Sequence, residues 1–201
     1  MTTAWRAQRN RLRVSLLLCE HDEVLAESNT KTVRETSAGG VVLRRMQGKW
    51  HVAIIEPNTI NADKVTRRAS SRPDGTVFAL PKGAVDPGET PEATARREIR
   101  EETGLEAELV RKLMDIKYFY VRSWGGRERV FKIVSFYLFR YASGRLGLIS
   151  PEMRVEVRRA MWLPLEKAHE KLTYKGERQV LAMAQKFVKI HPDLQIRDGR
   201  K

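Results

Sequence analysis

Cys19 is the only cysteine among 201 residues, so no disulfide can close within the chain and nothing in its cysteine usage points to an oxidising compartment. A buried apolar thiol is the role expected of it. No apolar run approaches the ~20 residues that a membrane-spanning helix needs; Val14 to Cys19 is the length of a strand. No repeat, low-complexity tract or internal linker divides the sequence. Acidic residues are scarce beside basic ones, 25 Asp and Glu against 38 Lys and Arg, for a net charge of +13. The expectation is a soluble, cytoplasmic protein with no membrane partner, either monomeric or a homodimer. A basic surface raises encounter rates with polyanions, and it does not by itself distinguish a small nucleotide from RNA.

Length and a hydrophobic content of 41% fit one domain with a real core. Residues 1–36 read as an N-terminal extension with one or two strands, 37–191 as the domain and 192–201 as a basic tail. Met1 to Arg13 is Arg-rich and acid-free, as organelle-targeting peptides are. It runs straight into the strand-like Val14 to Cys19 and then Glu20-His21-Asp22-Glu23, which does not suit a cleavable amphipathic helix.

The stretch from Gly83 to Leu105 organises the rest. Thr90 is a good N-cap, Pro91 suits the first helical position, Glu92 complements the helix dipole, and Gly104 suits the left-handed C′ position. These signals predict a helix from Pro91 to Thr103. At roughly 100° per residue, Glu98, Glu101 and Glu102 fall on one arc, and Ala95 with Ile99 forms the neighbouring apolar stripe. Like charges one turn apart destabilise a helix, so their concentration calls for a compensating cation, and oxygen ligands select a hard one, Mg²⁺ or Mn²⁺. This stretch is itself net −3, which leaves +16 on the rest of a chain that totals +13.

The spacing is Gly83, five residues, Glu89, seven residues, then Arg97-Glu98-Ile99-Arg100-Glu101-Glu102-Thr103-Gly104-Leu105. It resembles, position for position, the signature of the Nudix hydrolases, which cut nucleoside diphosphates linked to another moiety. The resemblance spans about Ser37 to Val188. It implies an α/β fold, the Nudix-type α/β/α sandwich with a central mixed β-sheet. It further implies that Glu101 and Glu102 hold divalent metal with the Gly83 carbonyl, that Glu98 is a ligand or helps deprotonate water, and that Arg97 pairs with Glu89 to orient the helix start. Such enzymes often draw one more carboxylate from outside the signature; Glu156 is the candidate here, with Glu152 behind it.

Outside the signature, Ser37 to Arg45 reads as a strand entered through small residues, with Trp50 to Ile55 as its hairpin partner across Met46 to Lys49. Gly39 and Gly40 either admit a close neighbour or fill a crossing. The polar loop from Pro57 to Gly75, with Arg67, Arg68 and Arg72, is either a lid over a polyphosphate or a solvated insertion. Val77 to Leu80 reads as a short buried strand delivering Lys82, expected to face solvent and phosphate. Ala107 to Ile116 is expected to cross back into the sheet, and Lys117 to Val121 to pair with Val130 to Phe139 around a tip holding Trp124. Tyr118, Tyr120 and Trp124 are candidate base-stacking residues, Lys132 a candidate phosphate ligand. Two helices, Leu165 to Leu172 and Glu177 to Ile190, should cover the sheet, with Tyr174 between them as a further stacking candidate or a packing residue. The lead-in Leu80 to Gly83, the aromatic hairpin and the stretch from Trp162 to Arg178 resemble the diadenosine polyphosphate hydrolase branch, so the expected substrate is a dinucleoside polyphosphate. An oxidised nucleoside triphosphate, an RNA 5′ end, and a silent nucleotide-binding module are the alternatives.

Overall fold

A computed structural model describes residues 32–58, 75–122, 128–149 and 153–192. Six strands, β1 (Thr32–Met46), β2 (Lys49–Pro57), β3 (Lys82–Ala84), β4 (Leu105–Val121), β5 (Arg129–Gly144) and β6 (Val157–Pro164), form one sheet in the order β4-β5-β1-β2-β6, with β3 paired to β1. β5 and β1 run parallel from Thr32 opposite Arg129 to Leu43 opposite Arg140; the other pairs are antiparallel. One edge of β1 is therefore occupied along its length by β5. Its other edge is shared, by β3 at Ser37 to Gly39 and by β2 from Leu43 onward. This sharing admits Lys82 and Gly83 into the middle of the sheet.

Period-two alternation in β1 sends Val41 and Leu43 to one face and Val42 to the other. Helix α1 (Pro91–Thr103) packs Ala95 and Ile99 against Ala38, Val42, Ala53 and Phe139. Helices α2 (Leu165–Lys171) and α3 (Lys175–Ile190) cover the opposite face, where Leu165, Ala168, Val180, Leu181, Ala184 and Val188 meet Val41, Leu43, Val52, Ile54, Phe136 and Leu138. The result is an α/β/α sandwich on a mixed sheet. Among the described residues, no helix is long and apolar enough to cross a membrane.

The β1–β2 connection is a two-residue turn in which Gln47 and Gly48 have φ of 49° and 77°, the left-handed geometry that matches strand twist. Gly39 and Gly40 admit close neighbours on both sides of β1. A Cβ on Gly39 would lie 2.5 Å from the Lys82 Cβ, and one on Gly40 would lie 2.5 Å from Ile99 Cδ1 and 2.8 Å from Phe139 Cδ2. Gly40→Ala is therefore expected to cost ~1–3 kcal/mol by overpacking the helix–sheet contact, and the thermal midpoint should fall by ~3–10 °C. An unchanged midpoint would show that α1 is not seated so closely.

Two expectations are corrected. β1 begins at Thr32 rather than Ser37, because parallel pairing with β5 extends to Arg129. Val77 to Leu80 is buried but is not a strand; only Ala79 bridges, to Ile55. The reason is that the Phe78 and Leu80 N–H groups donate to side chains, Thr173 Oγ1 at 2.9 Å and Glu177 Oε2 at 2.8 Å, instead of to a neighbouring strand. The long crossing is more regular than expected, since β4 and β5 pair over almost their whole length with three irregularities in register.

Candidate active site

The helix that carries the carboxylates is fixed at both ends by its own sequence. Thr90 Oγ1 accepts from the Ala93 N–H at 3.2 Å, Pro91 fills the first position, and Gly104 at φ 75° donates its N–H to the Arg100 carbonyl. With Ala95 and Ile99 committed to the sheet, the adjacent arc turns Glu98 and Glu102 toward β3. Both are buried, with 7% and 6% exposure, whereas Glu101 keeps about a third of its side chain in solvent.

Arg97 ties this arc to the preceding loop. Its guanidinium donates to both oxygens of Glu89, at 3.1 and 2.9 Å, and to the Ala84 carbonyl at 3.1 Å; Nη1 donates to Glu98 Oε1 at 2.7 Å and to Glu101 Oε2 at 3.0 Å. Hydrogen bonds from Arg97 and from the Thr94 hydroxyl, at 2.7 Å, pull the Glu89 carboxyl down to about 2. The pairing of Arg97 with Glu89 is thus a bidentate clamp that holds the loop from Ala84 to Glu89 on the helix.

Glu98 and Glu102 experience the opposite effect. Burial raises Glu98, Arg97 opposes that rise, and the charges of Glu101 and Glu156 add to it. Burial likewise pushes Glu102 up to about 8, against the pull of Lys82, with Glu98 and Glu156 adding their repulsion. Gly83 lies directly under Glu98, where a Cβ would stand 2.0 Å from Oε1. Glu156 occupies the exposed turn between a 3₁₀ turn at Met153–Val155 and β6, and its carbonyl accepts the Asn58 N–H at 2.6 Å. It is therefore a turn residue and not a strand residue, and its charge reaches both buried carboxylates.

Buried, mutually repelling oxygen donors are what a hard divalent cation requires. Among the described residues no three acidic side chains converge at ligating distance; Glu98 and Glu101 converge instead on Arg97 Nη1. The donor set fits such an ion in its chemistry, and Glu98, Glu101, Glu102, Glu156 and the Gly83 carbonyl are the groups that could hold it.

Lys82 borders this cluster. Its N–H donates to Glu102 Oε2 at 2.7 Å, while its ammonium lies 3.4 Å from Glu177 Oε1 and 5.7 Å from the centre of the Tyr174 ring. Only 28% of the side chain is exposed, so the expectation of a solvent-facing lysine is corrected: burial disfavours its charge, and Glu177 and Glu102 more than restore it. Tyr118 and Tyr174 both lie within electrostatic range of the same ammonium, which brings two of the stacking candidates to Lys82. Tyr118 is 43% exposed.

Tyr120 adjoins Tyr118, their ring centres 6.3 Å apart, and with Lys132, the cross-strand partner of Tyr118, it surrounds Glu35 of β1. Tyr120 donates its hydroxyl to Glu35 Oε2 at 2.7 Å, Lys132 Nζ lies 3.4 Å from the same oxygen, and Arg122 bonds Oε1. The Lys132 side chain, 26% exposed, belongs to this ion-pair network, and burial together with Glu35 pushes the Tyr120 hydroxyl up to about 12. Glu152, Trp124, Arg67, Arg68 and Arg72 lie outside the described residues. Sequence reasoning missed Glu35 and Glu177. Glu177 does leave a trace, an acid at the head of the apolar stripe Val180, Leu181, Ala184 and Val188 on α3.

Residues 36–184 match the family model of the NUDIX domain, and the chain belongs to that family. It is 34% identical over 158 residues to the mutator-type protein MutT4 of Mycobacterium tuberculosis, covering 79% of this chain and 57% of that protein. It is also 34% identical over 163 residues to the 8-oxo-(d)GTP phosphatase of Mycolicibacterium smegmatis, covering 81% of this chain and 44% of that one. The chain thus spans about half the length of these relatives. Among solved structures, the fold is similar to that of a C. elegans Ap4A hydrolase, with a TM-score of 0.54 and 23% identity over 77% of this chain and 98% of that one. It is also similar to the NUDIX domain of Shewanella oneidensis NrtR, bound to ADP ribose, with a TM-score of 0.53 and 16% identity over 87% and 97% of the two chains. At these identities the structural likeness establishes the fold alone.

Proposed function

We propose that this chain is a divalent-cation-dependent hydrolase that cleaves a phosphoanhydride bond in a nucleoside diphosphate bearing a further group, and that its substrate is a dinucleoside polyphosphate. The observation that carries the reading is the position of Lys82: its N–H is bonded to Glu102 at 2.7 Å, and its ammonium lies 5.7 Å from the centre of the Tyr174 ring. A phosphate chain leaving an aromatic-bound base would thereby run past an ammonium to the carboxylates.

A divalent cation, Mg²⁺ or Mn²⁺, would supply neutralisation of phosphate charge and acidification of water at this site. The chain's own residues do the rest. Arg97 and Glu89 fix the start of α1 and so the aim of its carboxylates. We assign to Glu98 the acceptance of the proton from the water that attacks phosphorus. The bond from phosphorus to the bridging oxygen breaks, and the electron pair leaves on that oxygen. Lys82 stabilises the charge that accumulates there.

One finding favours a second reading, an oxidised nucleoside triphosphate: the relative named 8-oxo-(d)GTP phosphatase shares 34% identity, whereas the Ap4A hydrolase likeness is one of fold. The deciding experiment compares kcat/KM for diadenosine tetraphosphate, 8-oxo-dGTP, dGTP and triphosphorylated RNA at fixed Mg²⁺. Diadenosine tetraphosphate is expected to lead and to be cut asymmetrically into a nucleoside triphosphate and a monophosphate, with the position read from ¹⁸O incorporation. A far higher kcat/KM for 8-oxo-dGTP or RNA would overturn the dinucleotide assignment and leave the hydrolytic chemistry standing.

A further inference from the structure

We infer that Glu177 of α3 is a positioning residue of the hydrolytic site, a buried carboxylate that aims the Lys82 ammonium at the substrate's phosphates. The inference rests on the function proposed above and adds to it a residue outside both the signature and its flanking segment. Glu177 is 2% exposed, and each of its oxygens has a partner of its own. Oε2 accepts the Leu80 N–H at 2.8 Å and Oε1 faces Lys82 Nζ at 3.4 Å. The first contact locates the main chain of the 80–82 segment; the second sets the direction of the side chain leaving it. Lys82 in turn donates its N–H to Glu102 Oε2 at 2.7 Å, so one short segment is held between a carboxylate of α3 and a carboxylate of α1. Those two helices lie on opposite faces of the sheet.

Beside the apolar stripe of α3, the carboxylate of Glu177 faces an ammonium, and that ammonium belongs to Lys82, whose main-chain N–H bonds Glu102. Room for this arrangement comes from Gly39, where any side chain would meet Lys82 Cβ. Burying a carboxylate is costly unless it is both paired and hydrogen-bonded, and Glu177 is both.

The test is a double-mutant cycle with Glu177→Gln and Lys82→Met. A glutamine at 177 keeps an oxygen for the Leu80 N–H but turns an NH₂ donor toward the ammonium, so Lys82 loses its anchor while the main chain keeps its own. Glu177→Gln is expected to lower kcat/KM for the best substrate by ~10–100-fold, mostly in kcat, and to weaken binding of Mg–ADP measured calorimetrically. In the Lys82→Met background the same substitution should have no further effect on either quantity. The double variant also removes both charges together, which keeps the comparison open if Glu177→Gln alone folds poorly. Additive losses in kcat/KM, or a Glu177→Gln protein that matches wild type in kcat and in Mg–ADP binding, would overturn the inference while an active wild type left the proposed function intact. A wild type inert toward every phosphoanhydride tested and without affinity for Mg–ADP would overturn both.

Discussion

Glu102→Gln is expected to lower kcat by ~10²–10³-fold or more while the protein stays folded, and Glu101→Gln to do the same. The substitution preserves shape, and at position 102 it also preserves an oxygen for the Lys82 N–H, now donated to Glu102 Oε2 at 2.7 Å. What it removes is a charge that the metal-free fold does not favour. Glu102 is pushed up to about 8 by burial first, with Glu98 and Glu156 adding repulsion, so its anionic form at neutral pH is disfavoured in the fold. The variant's thermal midpoint without divalent cation should therefore equal or exceed that of wild type. Added Mg²⁺ should raise the wild-type midpoint and leave that of Glu102→Gln nearly unmoved, because an ion that binds only the folded state stabilises it by mass action. Turnover within a few-fold of wild type in both variants would show that these carboxylates do not hold the ion.

Arg97→Met is expected to affect stability and rate together. The guanidinium makes a bidentate bond to Glu89, bonds to Glu98 and Glu101, and reaches the Ala84 carbonyl. Its loss leaves several acids without a counter-charge and releases the loop before α1. Hydrogen bonds to charged groups contribute ~1.5–3 kcal/mol each where they are buried, and Arg97 is partly solvated, with 24% of its side chain exposed. A net loss of ~2–3 kcal/mol follows, or a midpoint lower by ~4–12 °C for a chain of this size. The kcat/KM should fall by about 10²-fold, because the helix that aims the carboxylates is no longer pinned at its start. Divalent cation should restore part of the midpoint, since it supplies charge where the guanidinium did. A variant with unchanged melting and an unchanged rate would remove Arg97 from the site.

Local signals account for what the sequence made legible. The cap at Thr90, the proline at 91, the left-handed glycine at 104 and the Ala95–Ile99 stripe each act within a few residues, and they specify α1 end to end. The arc of Glu98, Glu101 and Glu102 then follows from helical geometry, and the clamp of Arg97 on Glu89 from the signature. The surroundings of Lys82 were not legible, because they depend on Glu177, and the contact from Leu80 to Glu177 spans 97 residues. The same long-range bond explains why the apolar run Val77 to Leu80 reads as a strand and is not one. The pairing of Lys132 was not legible because its partner Glu35 lies on β1, brought alongside only by the parallel β1–β5 register. Glu156 was legible as an acid near the site but not as a turn residue, since one position decides whether a side chain belongs to β6 or precedes it.

The most direct test of the central claim, a divalent cation held by the α1 carboxylates and used to hydrolyse a phosphoanhydride, is phosphate release from diadenosine tetraphosphate, 8-oxo-dGTP and dGTP by the metal-stripped protein, with EDTA and then with excess Mg²⁺ or Mn²⁺. The account predicts no turnover in EDTA and recovery on adding the ion in wild type, with no recovery in Glu102→Gln. Turnover that persists in EDTA, or a Glu102→Gln protein that recovers as wild type does, would contradict it.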